Sequence, residues 1–385
     1  VEAKAPLRLF LCGDVMTGRG IDQILPHPGD PTLYEDYVRD ARDYVRLAEL
    51  ANGPITSPAD FPYIWGDALA ELDAAAPDFR IVNLETSITT SGRYWPGKAV
   101  HYRMHPRNVG CLAAAHVHCC CLANNHVLDW GREGLRETMA TLDEAGFRRC
   151  GAGADLPEAC APAVLDAGPR GRVLVYALGS ATSGIPEDWA ATPGTSGVNL
   201  LADLSETTAR SVTEHIQSEK RPGDVVVVSI HWGGNWGYAI DPAQVRFARA
   251  LAEGGADVVH GHSSHHVKGL ELYKGRLIIY GCGDFLTDYE GIGGHEEFRS
   301  DLSLMYFADV TPDGSSPVRA RLVPMRTRRL RLERASVAEA HWLHAILTRS
   351  GEPFGTSFTL HDGGDITVHP KTCPPPSDAK PAKSF

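Results

Sequence analysis

Seven short apolar runs, each breaking off in polar residues, constrain this chain more than any other feature. They are LRLFLCGD (7–14), FRIVNLET (79–86), HCCCLANN (118–125), VLVYALG (173–179), DVVVVSIHWG (224–233), ADVVHGH (256–262) and RLIIYGCGDF (276–285). Runs this short, apolar at nearly every position, suit strands buried on both faces. Between many of them lie helical patterns: WGDALAELDAA (65–75), GLRETMATLDEAG (134–146), DLSETTARSVTEHIQSEK (203–220) and PAQVRFARALAEGG (242–255). Gly146 and Gly254 stand where helix-ending glycines belong. The alternation predicts an α/β fold with largely parallel strands. In such sheets ligands sit beyond the C-terminal strand ends, and that is where the polar residues fall.

Past residue 300 the pattern changes. LSLMYFADVTPDG and SPVRARLVPMRT read as antiparallel strands joined at a PDG turn. The connections 26–64 and 90–108 are too long to be featureless, so they carry function or hidden elements. The ending KTCPPPSDAKPAKSF, about the last 15 residues, reads as a disordered tail.

Composition excludes some roles. A net charge of −11 with no basic stripe argues against a nucleic-acid partner. No apolar segment approaches the ~18 residues that a membrane span needs, and VEAKAP runs straight into the first strand. The nine cysteines are odd in number and mostly in apolar stretches, which predicts buried free thiols and a reducing, cytoplasmic location. Three are consecutive, Cys119 to Cys121, but neighbours on a strand point to opposite faces. Oligomeric state is not readable from the chain.

Five strand-end motifs carry chemistry: Gly13-Asp14; Asn83-Leu84-Glu85; Asn124-Asn125-His126 with Asp129; His231-Trp232-Gly233; and Gly261-His262 followed by His265 and His266. The last belongs to VVHGHSSHHVKG, with four histidines in seven positions. Carboxylate and carboxamide oxygens mixed with imidazoles suit a divalent metal, Mn, Fe or Zn, as one or two ions. A carboxylate such as Glu85 can bridge two cations. Consecutive His265 and His266 diverge in extended chain, so at most one is a ligand. His260 reads as a hydrogen-bonded histidine within the strand. Asp129 is positioned to cap the next helix or to orient His126. Asp284 and Asp288 suit capping as well as substrate contact, and Trp232 and Trp236 suit an aromatic wall as well as core packing.

The ordered set GDVMTGRG, VNLETSIT, CLANNHVLDWG, SIHWG and GHSSHHVKGLELYKGRLIIYGCGDFLTDYEG resembles the CapA family. These are the poly-γ-glutamate capsule biosynthesis proteins of the calcineurin-like metallophosphoesterase superfamily. The resemblance spans roughly residues 7–335, so residues 1–345 are read as one domain of this type and 346–385 as a C-terminal extension. It implies a four-layer α/β/β/α sandwich with a metal site at the strand ends. Asp14, Glu85, Asn125, His231, His262 and His265 match metal ligands, Glu85 as the bridging carboxylate. His126 matches the histidine that contacts the transferred group, and Asp129 is grouped with it as catalytic. Arg19, Lys98 and Arg103 lie beside the site in the family pattern and would suit an anionic substrate. One departure concerns the second metal: Met16 stands where the superfamily has a second ligand after the first aspartate.

The expected function is a metal-dependent, phosphoesterase-like hydrolase. It would use a metal-activated hydroxide on an anionic small molecule or a γ-glutamyl-type substrate. The alternatives are an accessory protein of poly-γ-glutamate synthesis or export that binds polymer, and a metabolite-tailoring enzyme doing amide chemistry on the same scaffold.

Overall fold

The computed structural model describes residues 5–312 and 314–371. Strands β1 (Leu7–Val15), β2 (Phe79–Leu84), β3 (Cys119–Cys121) and β4 (Arg148–Cys150) run parallel in one sheet. A second sheet carries β5 (Arg172–Ser180), β6 (Val225–His231), β7 (Val258–His262), β8 (Leu270–Tyr273) and β9 (Arg276–Ile279) in the order β5-β6-β7-β9-β8, with β8 antiparallel to β9 and a further strand, Ala163–Asp166, antiparallel to β5. The chain then returns to the first sheet with β10 (Asp284–Leu286), β11 (Leu302–Val310), β12 (Arg319–Arg328), β13 (Arg331–Arg334), β14 (Thr356–Leu360) and β15 (Ile366–Pro370). The first sheet reads β14-β15-β12-β11-β1-β2-β3-β4, with β10 beside β1 and β13 beside β12.

The fold is α/β, as the alternation predicts. β11 and β12 form the expected antiparallel hairpin, although Asp313 of its turn lies outside the described residues, as do Cys373 and the tail. The expected boundary at residue 345 falls inside the helix Val337–Gly351, and the strands that follow it join the edge of the first sheet.

Helices α1 (Arg19–Ile24), α2 (Arg42–Asn52), α3 (Ala68–Ala75) and α4 (Gly131–Glu144) lie in the first half of the chain; α5 (Glu206–Glu219), α6 (Pro242–Glu253) and α7 (Val337–Gly351) follow. α2 is an element hidden in the connection 26–64. Gly146 ends α4 at φ +82°. α6 begins with a capping box, Asp241 and Gln244 each bonding the other's backbone.

Side-chain alternation assigns the cores. From β6, Val225 and Val227 join Leu7, Leu9, Leu11 and Ile81 of the first sheet, whereas Val226, Val228 and Ile230 join Phe247 and Leu251 of α6. Each fully buried Val or Leu contributes about 1.5–3 kcal/mol, so a one-residue slip of β6 would expose a row of them to the wrong surface. A third core lies between the outer face of the first sheet and α3 and α4. Cys119 and Cys121 share a face and meet Cys150, with the Cys150 and Cys121 sulfurs 3.9 Å apart, while Cys120 faces the opposite core. All these thiols are free and buried.

β1 is irregular at one place. Its pairing with β2 steps from Leu11–Ile81 to Asp14–Asn83, three residues against two. Such a bulge re-aims the following side chain, and it turns Asp14 toward the second sheet. The site of the bulge is tight: a Cβ on Gly13 would lie 1.7 Å from the Gly283 carbonyl oxygen. Gly13→Ala should therefore destabilise the protein by at least about 3 kcal/mol, the upper range for overpacking. Gly92→Ala, at an exposed position with nothing within 4 Å, should leave the midpoint of urea unfolding unchanged.

Candidate metal centre

The strand ends of both sheets open at one edge, and the motif side chains meet there. β6 and β7 pair in a register that sets His231 directly beside His262. Their Nδ1 atoms are 2.8 Å apart, and His231 Nε2 is 3.0 Å from Asn125 Oδ1. His262 Nδ1 lies 3.5 Å from Asp14 Oδ1, and His231 Nε2 lies 3.8 Å from Glu85 Oε1. Ligand atoms of Asp14, His231 and His262 all fall within 4.8 Å of one another. Five of the six sequence-derived ligand candidates, Asp14, Glu85, Asn125, His231 and His262, are thus brought together. His265 bonds a further carboxylate, its Nδ1 3.0 Å from Asp284 Oδ1, and the charge of Asp14 also acts on it.

The backbone is shaped around these groups. Asn83 Nδ2 donates to Asp14 Oδ1 at 2.7 Å, and Asn124 Nδ2 donates to Asn83 Oδ1 at 3.1 Å. Ser263 adopts φ +97°, a strained conformation for a residue with a side chain. Its N–H thereby donates to Asp14 Oδ2 at 3.0 Å. Ser229 Oγ bonds both His262 Nε2 at 2.8 Å and His260 Nδ1 at 3.1 Å. His260 Nε2 bonds the Cys12 carbonyl at 2.7 Å, so its two nitrogens tie the sheets together. Asn83 stands in a strand-end motif but had no role assigned from sequence, and Ser229 was not singled out; its only signal is an inward position at a strand end.

Burial sets the charge states. His231 and His262 stand well below the ordinary imidazole range, because each is fully buried and faces other imidazoles. Neutral imidazole is the form that binds a metal. Burial and the Asp284 charge push Asp14 up to about 7, and burial with Asp14 and Asp284 pushes Glu85 well above the carboxylate range. A divalent cation would reverse both carboxylate shifts. Two imidazoles, carboxylates and an amide oxygen are a donor set that Zn, Fe or Mn accepts, so the residues fit such an ion.

His126 sits at the side of this cluster. Its Nε2 is 3.7 Å from Glu85 Oε1, and its Nδ1 is 2.6 Å from Asp129 Oδ2. Asp129 also accepts from Tyr102 N at 2.7 Å and from Lys98 Nζ. It makes no helix cap, since Trp130 occupies that position without a side-chain bond; it orients His126. Burial, opposed by Asp129 and aided by Lys98, brings His126 down to about 4.

The three expected substrate cations are engaged within the protein. Lys98 bonds Asp129 and the Asn125 carbonyl. Arg103 donates to the Ser91 carbonyl at 2.9 Å and the Asp30 carbonyl at 2.7 Å, and its guanidinium lies 3.8 Å over the Trp130 ring. Arg19 is buried with Asp288 at 2.6 Å and Glu35 at 2.9 Å. Asp288 also accepts from Gly20 N at 2.8 Å, which ties the start of α1 to the loop after β10.

A cavity of about 510 Å³ opens beside His265, walled by Trp236, Tyr289, His295 and Arg299. Trp236 stacks on His295 with ring centroids 3.9 Å apart. Trp232 is instead core, packed on Phe247 and Tyr280 with Nε1 bonded to the Tyr280 carbonyl at 3.1 Å. His266 diverges from His265, stacked on Phe298.

Because removing one member of a buried ion pair leaves a charge uncompensated, Arg19→Met should cost about 3–5 kcal/mol. Urea unfolding measures this; wild-type stability would assign Arg19 to ligand contact rather than to construction.

With this geometry in view, the comparisons with known proteins are direct. Residues 8–289 match the family described as bacterial capsule synthesis protein PGA_cap. A probable polyglutamine synthesis accessory protein of Mycobacterium tuberculosis is 49% identical over 363 residues, covering 94% of this chain and 96% of the relative. The PGA biosynthesis protein CapA of Bacillus subtilis is 27% identical over 277 residues, 72% of this chain and 62% of its own length. The capsule biosynthesis protein CapA of Bacillus anthracis is 25% identical over 296 residues, 74% and 63%. The chain belongs to the CapA family of bacterial capsule synthesis proteins.

Proposed function

We propose that this protein is a divalent-cation-dependent hydrolase of the metallophosphoesterase type, on a four-layer α/β/β/α sandwich. Its substrate is an anionic small molecule or a γ-glutamyl compound. The observation that carries the reading is the gathering of Asp14, Glu85, Asn125, His231 and His262 from five strand ends at one site, where ligand atoms of Asp14, His231 and His262 lie within 4.8 Å of one another and Glu85 and Asn125 face His231. The three cores, one between the sheets and one on each outer face, support the layering.

A cation held by these residues supplies Lewis acidity toward an oxygen of the scissile group. The chain's own residues do the rest. Asp129 and Lys98 hold the His126 ring so that Nε2 faces Glu85 across 3.7 Å. A substrate oxygen within hydrogen-bond reach of Nε2 can accept a proton from that nitrogen as its bond to the scissile group breaks, or give one to it. The aromatic cavity beside His265 has the volume for a small substrate.

A second reading is favoured by the relatives: a protein accessory to poly-γ-glutamate synthesis, binding polymer without cleaving it. One set of measurements separates them. The purified protein is loaded with Mn, Fe or Zn, its metal content measured, and hydrolysis of a chromogenic phosphodiester and a γ-glutamyl anilide followed. A hydrolase binds at least one ion per chain and is stimulated by it; His231→Ala loses the ion and, at least roughly 100-fold, the activity. Bound poly-γ-glutamate, no hydrolysis, and no effect of His231→Ala on polymer affinity would leave the accessory role.

Asp129→Asn should keep the metal content and lower the hydrolysis rate roughly 10–100-fold, since it disorients His126 without touching the cation donors. A wild-type rate in this variant would remove His126 orientation from the mechanism.

A further inference from the structure

We propose that the cavity beside His265 takes an uncharged planar ring of the substrate, stacked on Trp236 where the His295 ring now lies. Trp236 is then a residue that sets specificity, and His295 is the ring's competitor. The inference rests on the reading of the adjoining cluster as a hydrolase centre and names the class of small molecule it takes.

The cavity adjoins the strand ends through one side chain. His265, on its wall, bonds Asp284, and Asp284 stands in register with Asp14 of β1. Trp236 comes from the loop after β6, and its ring centroid lies 5.4 Å from those of both His265 and Phe298. Tyr289 meets His265 edge-on at 5.2 Å. A small molecule that reaches the cluster can therefore fill the cavity with its remainder.

Charge decides what that remainder is. The three arginines on the wall are held by the protein's own carboxylates: Arg19 by Asp288 and Glu35, Arg299 by Asp301 and Glu339, and Arg326 by Glu339. A carboxylate entering here sheds water and finds each arginine already paired, which is costly. A γ-glutamyl polymer brings one such carboxylate with every residue. An uncharged ring avoids that cost and gains contact with Trp236 and Tyr289.

The protein itself shows what the Trp236 face accepts. His295 stacks on it with centroids 3.9 Å apart and planes 19° from parallel, the geometry of an aromatic ligand. The core does not depend on this contact. Residues 291–297, between β10 and β11, are all exposed, and the His295 side chain makes no cap to the short helical turn after it. Gly291 and Gly294 take φ +82° and +114°, and a Cβ at Gly294 would meet nothing within 4 Å. Movement of this loop carries His295 off Trp236 without opening a packed interior, and the substrate ring takes the vacated face.

The test is equilibrium binding of three probes with one headgroup, phenylphosphonate, cyclohexylphosphonate and methylphosphonate, to the Mn²⁺-loaded full chain by calorimetry. Phenylphosphonate should bind roughly 5–10-fold more tightly than methylphosphonate, with cyclohexylphosphonate between them, because stacking adds to the burial of apolar area. His295→Ala should strengthen phenylphosphonate binding roughly 2–5-fold and leave methylphosphonate binding unchanged. Trp236→Leu should bring phenylphosphonate down to the methylphosphonate affinity. Unchanged or weaker phenylphosphonate binding in His295→Ala would overturn the inference. So would wild-type affinities that are equal for the phenyl and methyl probes, or highest for the cyclohexyl probe. Each of these leaves the proposed hydrolase standing, because the shared headgroup still binds. Binding of no probe overturns the ring site, while metal content and turnover decide the hydrolase separately. His295 is exposed, so its variant keeps the test decisive even where Trp236→Leu does not fold.

Discussion

The structure depends on how the space between two sheets ends. Along most of its depth that space is filled by alternate side chains of β1, β5, β6 and β7, all apolar. At the C-terminal edge the same inward positions become Ser229 and His231 on β6, and His260 and His262 on β7. Polar groups cannot enter a packed interior without partners. The edge is therefore a network in which His260, Ser229, His262, His231 and Asn125 bond one another in that order. The His260 bond to the Cys12 carbonyl carries that network across to the first sheet.

That arrangement concentrates negative charge. Asp14 and Glu85 are buried among neutral imidazoles, and Asp284 stands in register with Asp14. The protein spends its arginines and lysines on the frame instead of the opening. Arg19 ties α1 to Asp288 and Glu35, Arg103 closes the loop around Trp130, and Lys98 reinforces Asp129. A bound cation would restore the electrostatic balance at the mouth, which is the physical basis for proposing a metal centre there.

Much of this was legible in the chain. The strands end where the apolar runs end, the helices lie between them, and four of the five motifs each delivered a residue that meets the others. The fifth delivered His262 but divided its remaining histidines: His260 bridges sheets, His265 turns to Asp284, and His266 packs against Phe298. Spacing did not separate these roles because a strand end and the turn after it have no common period. The choice between cap and partner for Asp129 was open for a similar reason. It was closed by the distance to His126, which depends on the turn between them.

The sequence by itself determined that polar side chains would gather at the ends of parallel strands, since alternation and burial are local properties. It also determined their chemical types, and hence the class of ion they suit. Only the tertiary structure decided which of them meet. The bulge at Gly13 turns Asp14 into the space between the sheets, and the return of β10 sets Asp284 beside it. Both are matters of register between segments far apart in the chain, and register is set by packing that no single segment contains.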